Sequence, residues 1–244
     1  RLAVRVRASQ GRVAAAVEYR EYVDGEPRGI TMVPAAVAPA KSLVVPGVPD
    51  HGERSLRIVA PGDTDAIVSI RVLGQSGPFT PLDHDVVTVP AGTVLDLPIG
   101  EVLGDSAAAI ALESDEAVTA AVRVVSSGKD ELPDLAYTAA TAPLPADPAV
   151  AVLSRDGSGM SSRLLLTAVG DMGGRATLTT VDLDGNVVDE STVNLSAGST
   201  TEAELESGEG TAWAYTVVRA AAPGTVAAVR EIRGSDDEGP LLDL

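Results

Sequence analysis

Apolar and polar residues alternate along most of this chain. From Ala66 to Leu73, Val68, Ile70 and Val72 fall on one side and Ile67 and Ser69 on the other. That is the period-two pattern of a strand with one buried face. Leu56 to Ala60 predicts a short strand, stopped by Pro61-Gly62-Asp63. Val86 to Val89 and Val94 to Leu97 predict two more, divided by Pro90-Ala91-Gly92. Ala107 to Leu112 and Val118 to Val125 predict a hairpin around Glu113-Ser114-Asp115-Glu116, and Leu135 to Leu144 runs on toward the link Pro143–Pro148. Further along, Ala176 to Leu183 and Val187 to Leu195 flank Asp184-Gly185-Asn186. Asp-Gly between alternating runs predicts a hairpin with a type I′ turn, which needs positive φ at both centres. Arg1, Arg5 and Arg7 alternate with Leu2, Val4 and Val6, predicting an opening strand whose basic row pairs with an acidic neighbour. No long window carries a helical stripe.

The pattern also recurs. Val118-Thr119-Ala120-Ala121-Val122-Arg123 matches Val226-Ala227-Ala228-Val229-Arg230 and Val13-Ala14-Ala15-Ala16-Val17-Glu18. Leu56-Arg57-Ile58-Val59-Ala60 matches Leu164-Leu165-Leu166-Thr167-Ala168, and Val89-Pro90-Ala91-Gly92-Thr93 matches Leu195-Ser196-Ala197-Gly198-Ser199. The offsets are 105, 108, 108 and 106 residues. A unit of that length can bury its own core. Six or seven strands per unit with frequent turns predict an all-β fold of tandem antiparallel β-sandwich (Ig-like) repeats of about 105 residues, the first copy truncated. The expected organisation is a partial repeat and linker over 1–50, a sandwich over 51–152 and a second over 153–244. The phase of the repeat stays open: a sandwich could begin at Leu56 or near Val13.

Composition narrows the chemistry. Apolar residues make up 45% of the 244, but aromatics only 2%, with one Phe and one Trp. Such cores are filled by Val and Ala rather than by rings. The formal net charge is −17. Residues 1–50 carry 7 Lys/Arg against 5 Asp/Glu, residues 51–150 carry 5 against 15, and residues 151–244 carry 6 against 15. So acidic a surface repels phosphate backbones, and no nucleic-acid partner is expected. With no cysteine there is no disulfide, thiolate nucleophile or thiolate metal site. No apolar run approaches a membrane span, so no membrane contact is expected within the chain. It opens and ends inside repeats, which predicts a piece of a longer protein with any targeting segment upstream.

Candidate chemistry is sparse, and each candidate has a plainer reading. Asp182, Asp184, Asn186, Asp189 and Glu190 resemble a calcium loop, but the glycine comes too early and the spacing does not close. Turn chemistry also accounts for Asp63 and Asp65. His84 lies between Asp83 and Asp85, and His51 lies in a Pro-Gly-rich linker; both read as surface histidines. Gly104-Asp105-Ser106 lacks the βαβ setting and the base a nucleophilic serine needs. Gly157-Ser158-Gly159 and Gly170 to Gly174 lack the Lys-Ser/Thr or helix of a phosphate loop. No catalytic residue, metal site or cofactor is expected. Trp213 and Tyr215 share a strand face. They read either as core anchors, matching Ala108 and Ile110 of the middle copy, or as a ligand-binding platform for sugar rings.

The strand ending Val59-Ala60-Pro61-Gly62-Asp63, the run Ala66 to Leu73, Val89-Pro90-Ala91-Gly92 and the Ala-Val-rich segment 107–125 resemble an actinobacterial family of exported, often membrane-anchored proteins. That family is known only as domain of unknown function 5719. Ala60 stands where members usually have Asn, and Ala168-Val169-Gly170-Asp171 lacks the Pro. The resemblance implies an extracytoplasmic location, secreted or anchored through a segment absent from this chain, and brings no catalytic residue. The expectation is a non-enzymatic structural or adhesion-type module of the actinobacterial cell envelope, with envelope proteins or polysaccharide as partners. The alternative is a carbohydrate-binding module using Trp213 and Tyr215.

Overall fold

The computed structural model describes residues 2–11, 13–127, 132–153, 158–206, 214–235 and 239–244. It is nearly all β, built of antiparallel sheets. The chain begins without the expected strand. Residues 2–8 have no strand partner and are exposed, Leu2 by 86%. An alternating run forms a strand only where a neighbour accepts its backbone hydrogen bonds.

The first hairpin is β1 (Ala16–Val23) and β2 (Glu26–Pro34). Its turn is Asp24-Gly25, with φ of 52° and 90° and Val23 directly opposite Glu26. This is the two-residue turn with positive φ at both centres.

Nine elements follow: β3 (Ala40–Val48), β4 (Glu53–Val59), β5 (Ala66–Gly74), β6 (Gly77–Phe79), β7 (Val86–Val89), β8 (Val94–Pro98), the one-turn α1 (Gly100–Leu103), β9 (Ala108–Ser126) and β10 (Asp134–Ala139). One layer runs β7-β5-β9-β3 and the other β8-β4-β9-β10. The 19-residue β9 belongs to both. Its first half pairs β5 and β3, and its second half pairs β4 and β10. The expected hairpin at Glu113–Glu116 is therefore absent: the strand turns the corner of the sandwich without reversing. At a corner both faces meet water, so charged residues need no loop there. Val45, Val68, Ile70, Ile110 and Leu112 from one layer meet Leu56, Ile58, Val122 and Val124 from the other in a single core.

The second half repeats this order. Its strands are β11 (Ala149–Val152), β12 (Ser161–Ala168), β13 (Gly174–Asp182), β14 (Val187–Leu195), β15 (Thr200–Leu205), β16 (Ala214–Ala220), β17 (Val226–Ser235) and β18 (Pro240–Asp243). The layers are β14-β13-β16-β11 and β15-β12-β17-β18. Register agrees as well as order. Leu56 lies opposite Val122 and Leu97, and Leu164 lies opposite Arg230 and Ala203. Ile70 lies opposite Leu112, and Leu178 opposite Val218. Where β9 rounds the corner in one piece, the second half has the separate strands β16 and β17, with the turn Ala221–Thr225 between them.

The strand partners move the expected boundaries. β3 pairs β9, so the first sandwich takes a strand from before residue 51. β11 pairs β16 and belongs to the second sandwich. The Asp184-Gly185 turn also differs from expectation. Only Gly185 has positive φ, and Asp182 organises the loop, its carboxylate accepting from the backbone NH of Asp184 and Asn186 and from the Asn186 amide.

Candidate functional site

Of the two residues proposed for ligand binding, Trp213 lies outside the described residues. Tyr215 is half-buried on β16 and lies opposite Val152 on β11 and Val181 on β13. The corresponding rung of the first sandwich is Ala109 opposite Leu73. Tyr215 thus matches Ala109 rather than Ile110, and it points outward. Ala214, Thr216 and Val218 are buried on its strand, and Val218 lies in the core. A shift of one residue exchanges the two faces of a strand, and the core-anchor reading of Tyr215 is corrected on that ground. Around Tyr215, Val150, Val152, Leu183 and Ala214 line an open depression of about 490 Å³.

The densest polar cluster lies elsewhere, where the second sandwich meets the first. Arg163 on β12 is 3% exposed and Glu231 on β17 is fully buried. Arg163 donates through Nε to Glu231, through Nη1 to Glu202, and through Nη2 to Asp50 at 2.6 Å. His51 Nε2 lies 2.7 Å from Glu231 Oε1. Asp50 and His51 belong to the first sandwich, in the β3–β4 loop. Burial opposes ionisation of Glu231, but its hydrogen bonds with His51 and Arg163 overcome that and hold its carboxyl below the usual range. Asp50 is likewise lowered, against its own burial, by Arg163.

Close packing continues beside the charges. A Cβ at Gly47 would stand 2.3 Å from Val229 Cβ, so the two backbones meet only because this residue has none. The Thr200 hydroxyl donates to the Leu73 carbonyl at 2.7 Å, and Gln75 donates to Glu202 at 2.6 Å. Leu242, from β18, enters the core of the first sandwich. A groove of about 580 Å³ opens beside the junction, with His51, Met160 and Arg233 on its walls.

Sequence reasoning placed His51 in a linker and missed this cluster. The signal was the unbroken run Leu164-Leu165-Leu166. Apolar residues on both faces of a strand mean burial on both faces, and a charged residue beside such a run needs a buried partner.

A smaller junction holds the first hairpin. Arg123 donates through Nε and Nη2 to Glu21, and Tyr19 meets Tyr137 edge-on at 5.7 Å. Burial opposes ionisation of Glu21, yet its bonds from Arg123 and Tyr19 hold it below the usual range. Burial pushes the Tyr137 hydroxyl up to about 12.

The remaining candidates lie elsewhere. Asp83-His84-Asp85 lies in a turn, with Asp83 at φ 65°. Gly104 follows α1, and its carbonyl accepts from the buried Arg54 at 2.7 Å. Gly157 is outside the described residues. Among the described residues no group of three His, Asp or Glu side chains could hold a metal.

With this geometry in place, comparison with known proteins adds one firm result. A family of unknown function, DUF5719, matches residues 1–206. The chain belongs to the DUF5719 family. No curated protein matches it. Among solved structures, a β-glucuronidase from Parabacteroides merdae aligns over 78% of this chain and 28% of its own, at 9% identity and a TM-score of 0.23. A β-glucuronidase from Ruminococcus gnavus aligns over 88% of this chain and 38% of its own, at 10% identity and a TM-score of 0.20. Overlaps this loose transfer neither fold nor activity to this member of the family.

Proposed function

We propose that this DUF5719 chain is a non-enzymatic structural module of the actinobacterial cell envelope. It works outside the cytoplasmic membrane and holds envelope proteins or polysaccharide at a fixed spacing. The observation that supports this is the junction. Two sandwiches joined through a flexible linker would leave their facing surfaces wet. Here the facing surfaces bury a guanidinium against three carboxylates, and Gly47 fits against Val229. Such a contact makes a stiff body of two domains. Glu231, Asp50 and Glu21, the buried or half-buried carboxyls held below their usual range, are each engaged in these junctions.

The carbohydrate-binding alternative draws on the outward-facing Tyr215. Sugar sites set an aromatic face beside hydrogen-bonding groups, and Val150, Val152, Leu183 and Ala214 offer only apolar side chains. A protein surface is the better match to that depression.

The placement is tested on intact cells of the producing organism with a membrane-impermeant amine-reactive cross-linker, for which the exposed Lys41 is a target. Cross-linking to envelope components in unbroken cells is expected. Modification that occurs only after lysis would sink the proposal.

A further inference from the structure

Among the described residues, β1 and β2 form a sheet of their own and share no ladder with either sandwich. A two-stranded sheet is marginal by itself, so this hairpin depends on what it lies against. It lies on the outer face of β9 and β10. Tyr19 and Val33 pack there against Val125, Leu135 and Tyr137, a cluster separate from the main core. Glu21 accepts from Arg123 and from the Tyr19 hydroxyl. Gly29 lets β2 come down onto β10: a Cβ there would stand 2.8 Å from the Leu135 nitrogen. The opposite side of the hairpin is bare, with Tyr22 61%, Ile30 51% and Met32 59% exposed.

The covered patch is the counterpart of the junction between the sandwiches. Arg123 holds on β9 the place that Glu231 holds on β17. Glu231 is sealed by a whole sandwich, but Arg123 is sealed by two strands tethered on one side. Val37 donates to the Ala140 carbonyl at 2.9 Å and packs with Ala36 against the main core, so the chain is pinned from there onward. Ahead of the hairpin, residues 2–8 have no strand partner.

We infer that the β1–β2 hairpin is a strap. It opens as one unit about Pro34-Ala35 while both sandwiches stay folded, and it thereby controls access to the Val125–Leu135–Tyr137 patch. Few buried apolar contacts and an exposed ladder put a segment at the low end of local stability. Of the hairpin's apolar side chains only Tyr19 and Val33 are half-buried, and the rest are exposed. Arg28 approaches Glu53 at 3.9 Å, but that pair is open to water and adds little. The fastening is therefore Glu21 on Arg123. Opening leaves the patch intact beneath, because its supports belong to the sandwich: the Tyr137 hydroxyl still accepts from Arg57, whose guanidinium lies 5.4 Å from the ring centre. The inference concerns the purified chain and does not rest on the cellular placement proposed above.

Hydrogen exchange on the intact chain, read beside nitration of its tyrosines by tetranitromethane, tests the strap. Amides of β1 and β2 should exchange about 100-fold or more faster than those of β4 and β12. Glu21→Gln removes the charge that Arg123 meets and should speed nitration of Tyr137 by about 10-fold. Nitration of the distant Tyr215, and protection of β4 and β12, should stay as in the wild type. Gly29→Ala sets a methyl against the Leu135 nitrogen and should act in the same direction, which keeps the test open if Glu21→Gln does not fold. Glu18→Gln, whose partner Arg20 is also exposed, should change none of these readouts. Hairpin amides as protected as those of β4 overturn the inference. So does Tyr137 nitration that neither variant changes, or that rises only together with exchange in β4 and β12.

Discussion

β4 and β12 occupy the same place in their sandwiches, yet their sequences follow different rules. β4 reads Ser55-Leu56-Arg57-Ile58-Val59, with Leu56 and Ile58 in the core and the polar residues outside. β12 reads Arg163-Leu164-Leu165-Leu166-Thr167, with Leu164 and Leu166 in the core and Leu165 fully buried on the opposite side. The difference is in what lies outside each strand. β12 is sealed by the first sandwich, whereas β4 meets a smaller hairpin and water. The fold of a single sandwich thus sets the inward residues, and its neighbour sets the outward ones. Removing outward residues should therefore cost the second sandwich far more than the first.

The largest effect is expected at Arg163. Its loss leaves Glu231 buried with its main counter-charge gone, and breaking a buried pair by removing one partner costs about 3–5 kcal/mol. Arg163→Ala should lower the unfolding free energy by that much in chemical denaturation. Ser55→Ala, at the corresponding place on β4, should change it little. Equal effects at the two sites would mean that the junction does not set the stability of β12.

Acid should act on the same contact. Glu231 and Asp50 are held below their ordinary values in the folded chain. Their contribution is therefore fully present above the unfolded carboxylate range, and it is lost as the pH falls through their folded values. Hydrogen bonds to charged groups are worth about 1.5–3 kcal/mol, so a loss of that order is expected on acidification below about pH 4. Glu231→Gln removes the titrating group. The gap in melting temperature between wild type and Glu231→Gln should narrow in acid. A gap that stays constant from neutral pH downward would assign the acid response to other carboxylates.

These contrasts also explain what could be read from the sequence. β5 was legible because it has one wet face, and alternation reports that directly: Val68, Ile70 and Val72 are buried, and Ile67 and Ser69 are exposed. β9 was not legible as one strand, because Glu113 to Glu116 carry the polar signature of a turn while lying at a corner. Tyr215 was placed on the wrong face for a related reason. Along β9, matched residues stand 106 apart up to Ala220 and 108 apart from Val226, since Ala221–Thr225 is longer than the stretch it replaces. An offset of 105 misses that step by one residue, which is enough to invert a strand. The junction itself escaped because Asp50, His51, Arg163, Glu202 and Glu231 come from four separate places in the chain. Only topology brings them together.

The smallest effect is expected at an exposed valine of the second sandwich, and it is the most discriminating. Val44 and Val150 hold the same position in their sandwiches, opposite Ala111 and Val217. Val150 is 60% exposed, whereas Val44 is half-buried on the face that the second sandwich covers. Replacing valine by threonine keeps the β-branch and changes one methyl to a hydroxyl. At Val150 the hydroxyl meets water, and the unfolding free energy of the monomer should move by no more than about 0.5 kcal/mol. At Val44 part of the hydroxyl is desolvated, and a loss of about 1 kcal/mol is expected. If Val44→Thr proves as harmless as Val150→Thr, the second sandwich does not press on this face in solution. The junction would then be confined to the charged cluster around Glu231.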